Sequence, residues 1–359
     1  MHTTMPIVML GFLSFIIWYT AYRLHAHFKF ISFLKFLIIT IIGLIGSLLL
    51  SAITLNFSNP FAGILSIMGG YIFLFSLYSF FSLLIIHIIR LIWKPSLVWS
   101  GISALAIAFI AVFIGAIIAS SFIVSETEVK IPKLKKELTL MHISDVHIGH
   151  HRGKNYLAKI VEKTNKLNPD LILITGDFID VETSLRPDAL EPLSNFKAPV
   201  YFAEGNHEKH FGAERVLKLI GEHNVRILRN EVIETHGIQL IGINYINMHG
   251  SDYTGVVKEV LKELPLKSDI PSVLISHSPV GVRYFEEAGI DLMLAGHLHG
   301  GQFFPMFPLS KLTFPFVRGL YQHGNIKVFV SSGAGTSFMT RVRLGSFNEI
   351  CLLKLVPAN

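Results

Sequence analysis

Cysteine is almost missing from this 359-residue chain: Cys351 stands alone, so no internal disulfide can form and cysteine usage says nothing about redox compartment. Charge is scarce as well, at 16% of residues against 51% hydrophobic, which is too apolar for one soluble domain. The scarcity is uneven. Asp, Glu, Lys and Arg are absent from Met1 to Tyr22, from Phe36 to Ile89 and from Pro95 to Ser125. No internal repeat and no low-complexity tract is present, which sets aside solenoids and disordered tails. A basic stripe interleaved with aromatics is also missing, so nucleic acid is not expected as a partner.

What fills the uncharged runs is membrane-like. Crossing a hydrocarbon core takes about 20 apolar helical residues. The middle run is long enough for two crossings, with Asn56-Phe57-Ser58-Asn59-Pro60 as a turn-forming break. Four transmembrane helices are expected, at 6–22, 36–55, 62–87 and 101–124, with the lipid bilayer as partner. A cleaved signal peptide would account for the first run alone, and no small-residue cleavage site follows it. The spans carry no Asp, Glu, Lys or Arg of the kind an ion path needs, so they read as an anchor. His87, close to Arg90, reads as interfacial. The net charge of +6 suits anionic head groups.

Loop charges orient the spans. Arg23, Lys29 and Lys35 lie in one loop, Arg90 and Lys94 in another, and both should face the cytoplasm. The N-terminus, the 56–60 turn and everything after the fourth helix then lie outside. Lys130, Lys133, Lys135 and Lys136 argue the other way, but they precede a long domain, where the rule weakens. The expected localisation is a multi-pass integral membrane protein with an extracytoplasmic soluble domain.

Residues 126–137 read as a charged linker with Pro132, and 138–359 as one domain; roughly 220 residues are ample for that. Strands are expected at Leu138–Ile143, Leu171–Thr175, Pro199–Ala203, Gln239–Ile243, Ser272–Ser276, Asp291–Ala295, Lys327–Ser331 and Glu349–Leu355. Helices are expected at Asn155–Lys166, Glu214–Glu222, Val256–Glu263 and Val282–Ala288. Alternation of strand and helix implies an α/β core. The strand-rich tail from Ile326 suggests a second sheet packed on the first.

Polar clusters follow the apolar runs one after another: Asp145-Val146-His147, Gly176-Asp177, Gly205-Asn206-His207-Glu208, His277 in Ser276-His277-Ser278-Pro279, and Gly296-His297-Leu298-His299-Gly300-Gly301-Gln302. Ligands of open α/β sheets bind beyond the carboxyl ends of strands. One histidine at a strand end is ordinarily a satisfied structural group; five clusters in this order point to a single metal site. Mixed carboxylate and imidazole donors suit Mn, Fe, Zn or Co rather than calcium. Two such ions can hold both the attacking and the leaving oxygen of an in-line displacement, and a water shared between them loses its proton near neutral pH. Phosphoryl transfer asks mainly for positioning and charge neutralisation.

On these clusters the sequence resembles the calcineurin-like metallophosphoesterases, whose pattern is D-x-H, G-D, G-N-H-[DE], a lone H, then G-H-x-H. The resemblance covers about 138–355. The G-H-x-H-G-G-Q form, Gly319-Leu320-Tyr321 and Ser332-Gly333-Ala334-Gly335-Thr336 look like the membrane-associated, YkuE-type branch. It implies a two-sheet sandwich flanked by helices, and roles by position. Asp145, His147 and His299 would hold the first metal; Asn206, His277 and His297 the second; Asp177 would bridge them. His207 would bind no metal and act on the leaving group or the phosphoryl oxygens. Glu208 replaces the commoner Asp outside the metal ligands, with little expected consequence.

The resemblance thus implies a membrane-anchored hydrolase of mono-, di- or pyrophosphate bonds that attacks with a metal-bridging hydroxide, on lipid-linked or envelope molecules. Relatives that cleave UDP-2,3-diacylglucosamine work at the cytoplasmic face and would need the opposite orientation. A non-catalytic metal-binding receptor or scaffold stands as the alternative outside enzymes.

Around the clusters, His150, His151 and Arg152 read as solvated loop residues, Asp180 and Asn230 as structural or ligand-supporting, and His142 as buried. His210, Phe303 and Phe304 are candidate substrate contacts. Phe303–Phe316 is an aromatic, proline-rich stretch whose prolines disfavour a regular helix. Its five phenylalanines form either a mini-core or a lipid-facing rim.

Overall fold

The computed structural model describes residues 4–54, 57, 59–150, 152–180, 187–247, 253–337 and 340–358. The chain divides into two compact units, one up to Ile117 with Phe338–Val342, and one formed by Ile118–Ser337 and Arg343–Asn359.

Among the described residues, three helices of the first unit are long and apolar enough to cross a membrane: Phe33–Thr54, Pro60–Ile92 and Leu97–Ile118. The expected first span falls on the helix Thr4–His27. Its side chains before Leu10 lie outside the described residues, as do 55, 56 and 58 of the expected turn. Asn59 caps the Pro60 helix by accepting the N–H of Ala62 at 2.8 Å. The Phe33–Thr54 helix passes through a π-helical turn at Ile42–Gly46. Small residues let it lie close to the Pro60 helix: a Cβ on Gly43 would meet Ser76 Oγ at 2.2 Å. The Ser51 hydroxyl donates across to the Ser66 carbonyl at 2.9 Å. Close approach and such bonds replace the hydrophobic drive that lipid removes. At the end of the span, Tyr19 Oη and His87 Nδ1 lie 2.9 Å apart.

Among the described residues the α/β unit holds twelve strands: β1 (Ile123–Ile131), β2 (Leu138–Ile143), β3 (Leu171–Thr175), β4 (Val200–Ala203), β5 (Val225–Ile227), β6 (Glu231–Thr235), β7 (Ile238–Gly242), β8 (Ser272–Ile275), β9 (Leu292–Ala295), β10 (Gly319–His323), β11 (Ile326–Val330) and β12 (Glu349–Pro357). They make two six-stranded sheets, ordered β1-β12-β2-β3-β4-β5 and β10-β11-β9-β8-β7-β6. Strand periodicity builds three cores. Leu140, Leu171 and Leu173 of the first sheet meet Leu240, Val273, Ile275, Leu292 and Leu294 of the second between the sheets. The alternate residues Met141, Ile143, Ile172 and Ile174 face the helices 154–167 and 213–221. Leu274, Met293 and Ile241 face 253–263 and 282–287. Strands buried on both faces read as unbroken apolar runs, which is why they were legible. Truncating a fully buried leucine such as Leu173 to Ala should cost about 2–5 kcal/mol.

Three expectations change. The fourth helix stops at Ile118, not 124, and much of the supposed linker is β1, paired in parallel with β12 from Ile123↔Glu349 to Ile131↔Pro357. Glu126, Glu128 and Lys130 on this edge strand face outward while Val129 and Ile131 are buried, so its charge disguised it. The second sheet begins at β6 in mid-chain, and β12 returns to the first sheet rather than closing the second. Finally, Met306–Thr313 is a helix despite Pro308. That proline occupies the first turn, where the missing N–H has no intrahelical partner anyway.

Candidate metal centre

All five polar clusters leave the carboxyl ends of parallel strands, β2, β3 and β4 from one sheet and β8 and β9 from the other. The expectation of one sheet edge is corrected in this respect: both sheets contribute. His277 ties them, its Nδ1–H donating to the Thr175 carbonyl at 2.7 Å.

The backbone there is unusual. Asp145, His147, Asp177, His297 and His299 all have positive φ, between 50° and 75°. A left-handed conformation costs a non-glycine residue about 1–2 kcal/mol, and it turns each side chain inward from a tight bend. Neighbouring bends must be glycine to fit. A Cβ on Gly176 would lie 2.3 Å from Gly205 N, and one on Gly296 2.2 Å from Asp145 Oδ2.

Among the described residues three donor groups result, two around the predicted ligands and a third in which Asp180 is shared by His147 and His207. In the first, His299 Nε2 stands 3.1 Å from His147 Nε2 and 3.4 Å from Asp145 Oδ1. In the second, His277 Nε2 stands 3.1 Å from Asp177 Oδ2 and 3.0 Å from His297 Nδ1. Asp145, His147, Asp177, His277 and His299 are buried, and His297 is half-buried. The Asn206 side-chain oxygen is buried with no hydrogen-bond partner among the described residues. His277 has spent its Nδ1–H on Thr175, so its other nitrogen can meet the Asp177 carboxylate only through a second proton or a bound cation. Burial depresses the His277 imidazole, yet the Asp177 and Asp145 carboxylates outweigh it and push the pKa up to about 10 in the ion-free site. Burial, aided by His147 and Arg343, holds His299 well below the ordinary range. The donors fit divalent ions of the transition series.

His207 lies at the rim of these clusters. Its Nδ1 is 3.3 Å from Asp180 Oδ1 and its Nε2 3.8 Å from Asp177 Oδ2. Burial opposes protonation, but Asp180, Asp177 and Glu208 raise its pKa to about 9. Asp180 also faces His147 Nδ1 at 3.2 Å, so one carboxylate orients both rings. Burial would raise Asp180, yet the two histidines hold it well below the usual carboxylate range.

Support for the site comes from residues to which the sequence assigned no such role. Glu208 was expected to matter little; it is fully buried and accepts the N–H groups of Gly205 (2.7 Å), Phe178 (2.7 Å) and Asp177 (2.8 Å). Arg343 is fully buried and donates to the carbonyls of His299, Ser332 and Gly335 and to Asn348 Oδ1. Burial pushes its pKa down to about 9. No motif marks it, and its neighbours Arg341, Gly345 and Ser346 do not set it in an apolar run. The Tyr245 ring stands 6.0 Å from that of His277 and 6.3 Å from that of His297.

The remaining candidates scatter. Arg152 is not solvated: it is buried, donating to Thr336 Oγ1 at 2.8 Å and to the Ala119 carbonyl at 3.2 Å. His150 is half-buried, and His151 lies outside the described residues. Asn230 Oδ1 accepts the Asn244 N–H at 2.9 Å. His142 is buried against Thr175 Oγ1 at 2.8 Å, and burial pushes its pKa down to about 3. His210 is exposed, its ring 5.0 Å from that of Phe211. Phe303, considered as a substrate contact, is buried beneath its loop because its ring partitions out of water, whereas Phe304 is exposed.

Comparison with known proteins agrees with this geometry. Residues 138–301 match the family model described as calcineurin-like phosphoesterase. The chain is 35% identical over 241 residues to an uncharacterized metallophosphoesterase of Helicobacter pylori, covering 66% of this chain and 64% of that one. It is 34% identical over 237 residues to one from Campylobacter jejuni, covering 65% and 63%. It is 32% identical over 246 residues to a transmembrane protein with metallophosphoesterase domain from Bos taurus, covering 64% and 55%. The matches thus span less than two thirds of these relatives. With the apolar helices, such a relative indicates membrane association. Two mixed sheets, five polar turns at the carboxyl ends of their strands and these matches show a calcineurin-like phosphoesterase domain over residues 138–301.

Proposed function

We propose that this chain is a membrane-anchored, dinuclear-metal hydrolase of phosphoester bonds. The observation that carries the reading is the pair of donor clusters, Asp145, His147 and His299 in one and Asp177, His277 and His297 in the other, with Asp177 Oδ1 also accepting the backbone N–H of His207 at 2.9 Å. Asp145, His147 and His299 would hold one ion and Asn206, His277 and His297 the other, with Asp177 shared. Two bound divalent ions supply charge neutralisation at the phosphoryl oxygens and a water acidic enough to react at neutral pH.

The chain's own residues do the rest. Ser144 Oγ donates to Asp145 Oδ2 at 2.5 Å and the His297 N–H to the same oxygen at 3.0 Å, which fixes that carboxylate. His207, steadied by Asp180, is placed to give a proton to the leaving oxygen. Arg343 and Glu208 hold the turns so that the donors do not wander. A retired, purely binding domain would have no need of the His207–Asp180 pair. Loop charges support a domain outside the cytoplasm; the cytoplasmic UDP-2,3-diacylglucosamine reading requires the reverse.

The test is a screen of the purified, Mn-loaded full chain against phosphomonoesters, phosphodiesters and pyrophosphates, including lipid-linked ones. Metal-dependent turnover of at least one class is expected. A chain that binds two ions per molecule and turns over none of them would overturn the reading.

A further inference from the structure

The stretch that leaves the metal turn at Gln302 is tied into one rim. Phe304 N–H donates to the Leu344 carbonyl at 2.9 Å, and Ser346 Oγ donates to the Gln302 carbonyl at 3.1 Å. Arg318 joins it to the helix Met306–Thr313, donating to the Gly345 carbonyl at 2.7 Å while its guanidinium sits 4.8 Å from the Phe307 ring. Lys311 approaches the same ring at 4.6 Å. None of the residues of this helix is buried. Leu312 is 83% exposed, Leu309 49% and Phe347 52%. Large apolar side chains among two cations, on a segment that starts three residues after His299, form a surface with an apolar face and a basic flank. Interfacial membrane segments have this composition, the apolar side chains entering the acyl boundary and the cations meeting anionic head groups.

Covalent geometry says which occupant is at hand. Only Ala119–Phe122 separate the last apolar helix, ending at Ile118, from β1. The entering chain is fastened on the metal side of the α/β unit. Asn348 Nδ2 donates to the Ala119 carbonyl at 3.0 Å, Arg343 Nε donates to Asn348 Oδ1 at 2.8 Å, and Arg343 also donates to the His299 carbonyl. Two side chains thus link the point of entry to a metal-ligand turn. The covalent path thus brings the chain into the α/β unit at the end that carries the metal turns.

We infer that the rim built from Leu309, Leu312 and Phe347, with Lys311 and Arg318, is a membrane-docking surface that seats on an anionic bilayer and opens the metal site toward the lipid head-group plane. This goes beyond the hydrolytic reading and stands on exposure and chain path alone, so its test needs no turnover.

The full chain, reconstituted in nanodiscs with and without anionic lipid, is spin-labelled at Leu312→Cys and, separately, at Leu309→Cys. Cys351 is buried and leaves the label to the new site. A control label at Lys163→Cys sits on the exposed face of a helix of the same unit. Collision with oxygen should exceed collision with a water-soluble nickel chelate at 312 and 309, most strongly with anionic lipid, and the order should reverse at 163. Water-like accessibility at both rim positions in both lipids would overturn the inference. So would spin–spin broadening at the rim that vanishes on dilution with unlabelled chain, because the surface would then bind a second copy. The hydrolytic reading could fail without changing any of these outcomes.

Discussion

Glu208 takes the backbone N–H of Asp177 at 2.8 Å and that of Gly205 at 2.7 Å, so a single buried carboxylate locks together the turns that carry two of the proposed ligands. The sequence places it next to His207 and gives no hint of this grip.

Glu208→Gln keeps the shape but turns an amide NH2 toward backbone donors. Metal affinity should fall about 10–100-fold, as it does when partners of metal ligands are removed. The fold should lose about 1–3 kcal/mol through an unsatisfied buried group. Calorimetric metal titration and thermal melts read both. Wild-type Mn binding in this variant would remove Glu208 from the supporting role.

Asp177→Ala should abolish hydrolysis of a chromogenic phosphodiester and lower the metal content measured by mass spectrometry. Substantial retained activity would rule out the shared-ligand role.

His207→Ala should slow turnover about 10²–10⁴-fold, the usual share of a positioned proton donor, with bound metal nearly unchanged. Loss of metal in this variant would instead make His207 a ligand.

Metal affinity should climb with pH across the neutral range. In the ion-free site His277 is raised to about 10, so it carries a proton below that pH. An ion must displace that proton, and the displacement costs less as pH rises. The slope should be about tenfold in affinity per pH unit for each proton released. The same raised pKa gives the ion-free fold a stabilisation that is complete below about 6.5, the unfolded value, and lost as pH passes through about 10. Titration of Mn at a series of pH values would show the slope, and a flat profile would contradict it.

Reporter fusions at residue 59 and at the C-terminus should both report the extracytoplasmic side. A cytoplasmic C-terminus would reverse the orientation drawn from Arg23, Lys29, Lys35, Arg90 and Lys94.

The amino-acid order alone determined the α/β class, most strands and the residues of the two donor clusters. Those features are local: β3 is an unbroken apolar run, and Gly176-Asp177 or Gly296–His299 must follow such runs to reach one end of a sheet. What only the tertiary structure decided depends on partners distant in sequence. β1 is a strand because β12 pairs with it across more than two hundred residues, although its Glu and Lys side chains spell a linker. Arg343 and Arg152 are buried because carbonyls of remote turns receive their donors, and no periodicity can announce that. Phe303 and Leu312 share one aromatic stretch, yet one is buried and the other exposed. Burial is set by which side of a bend faces the core, and that is a property of the packed chain rather than of its letters.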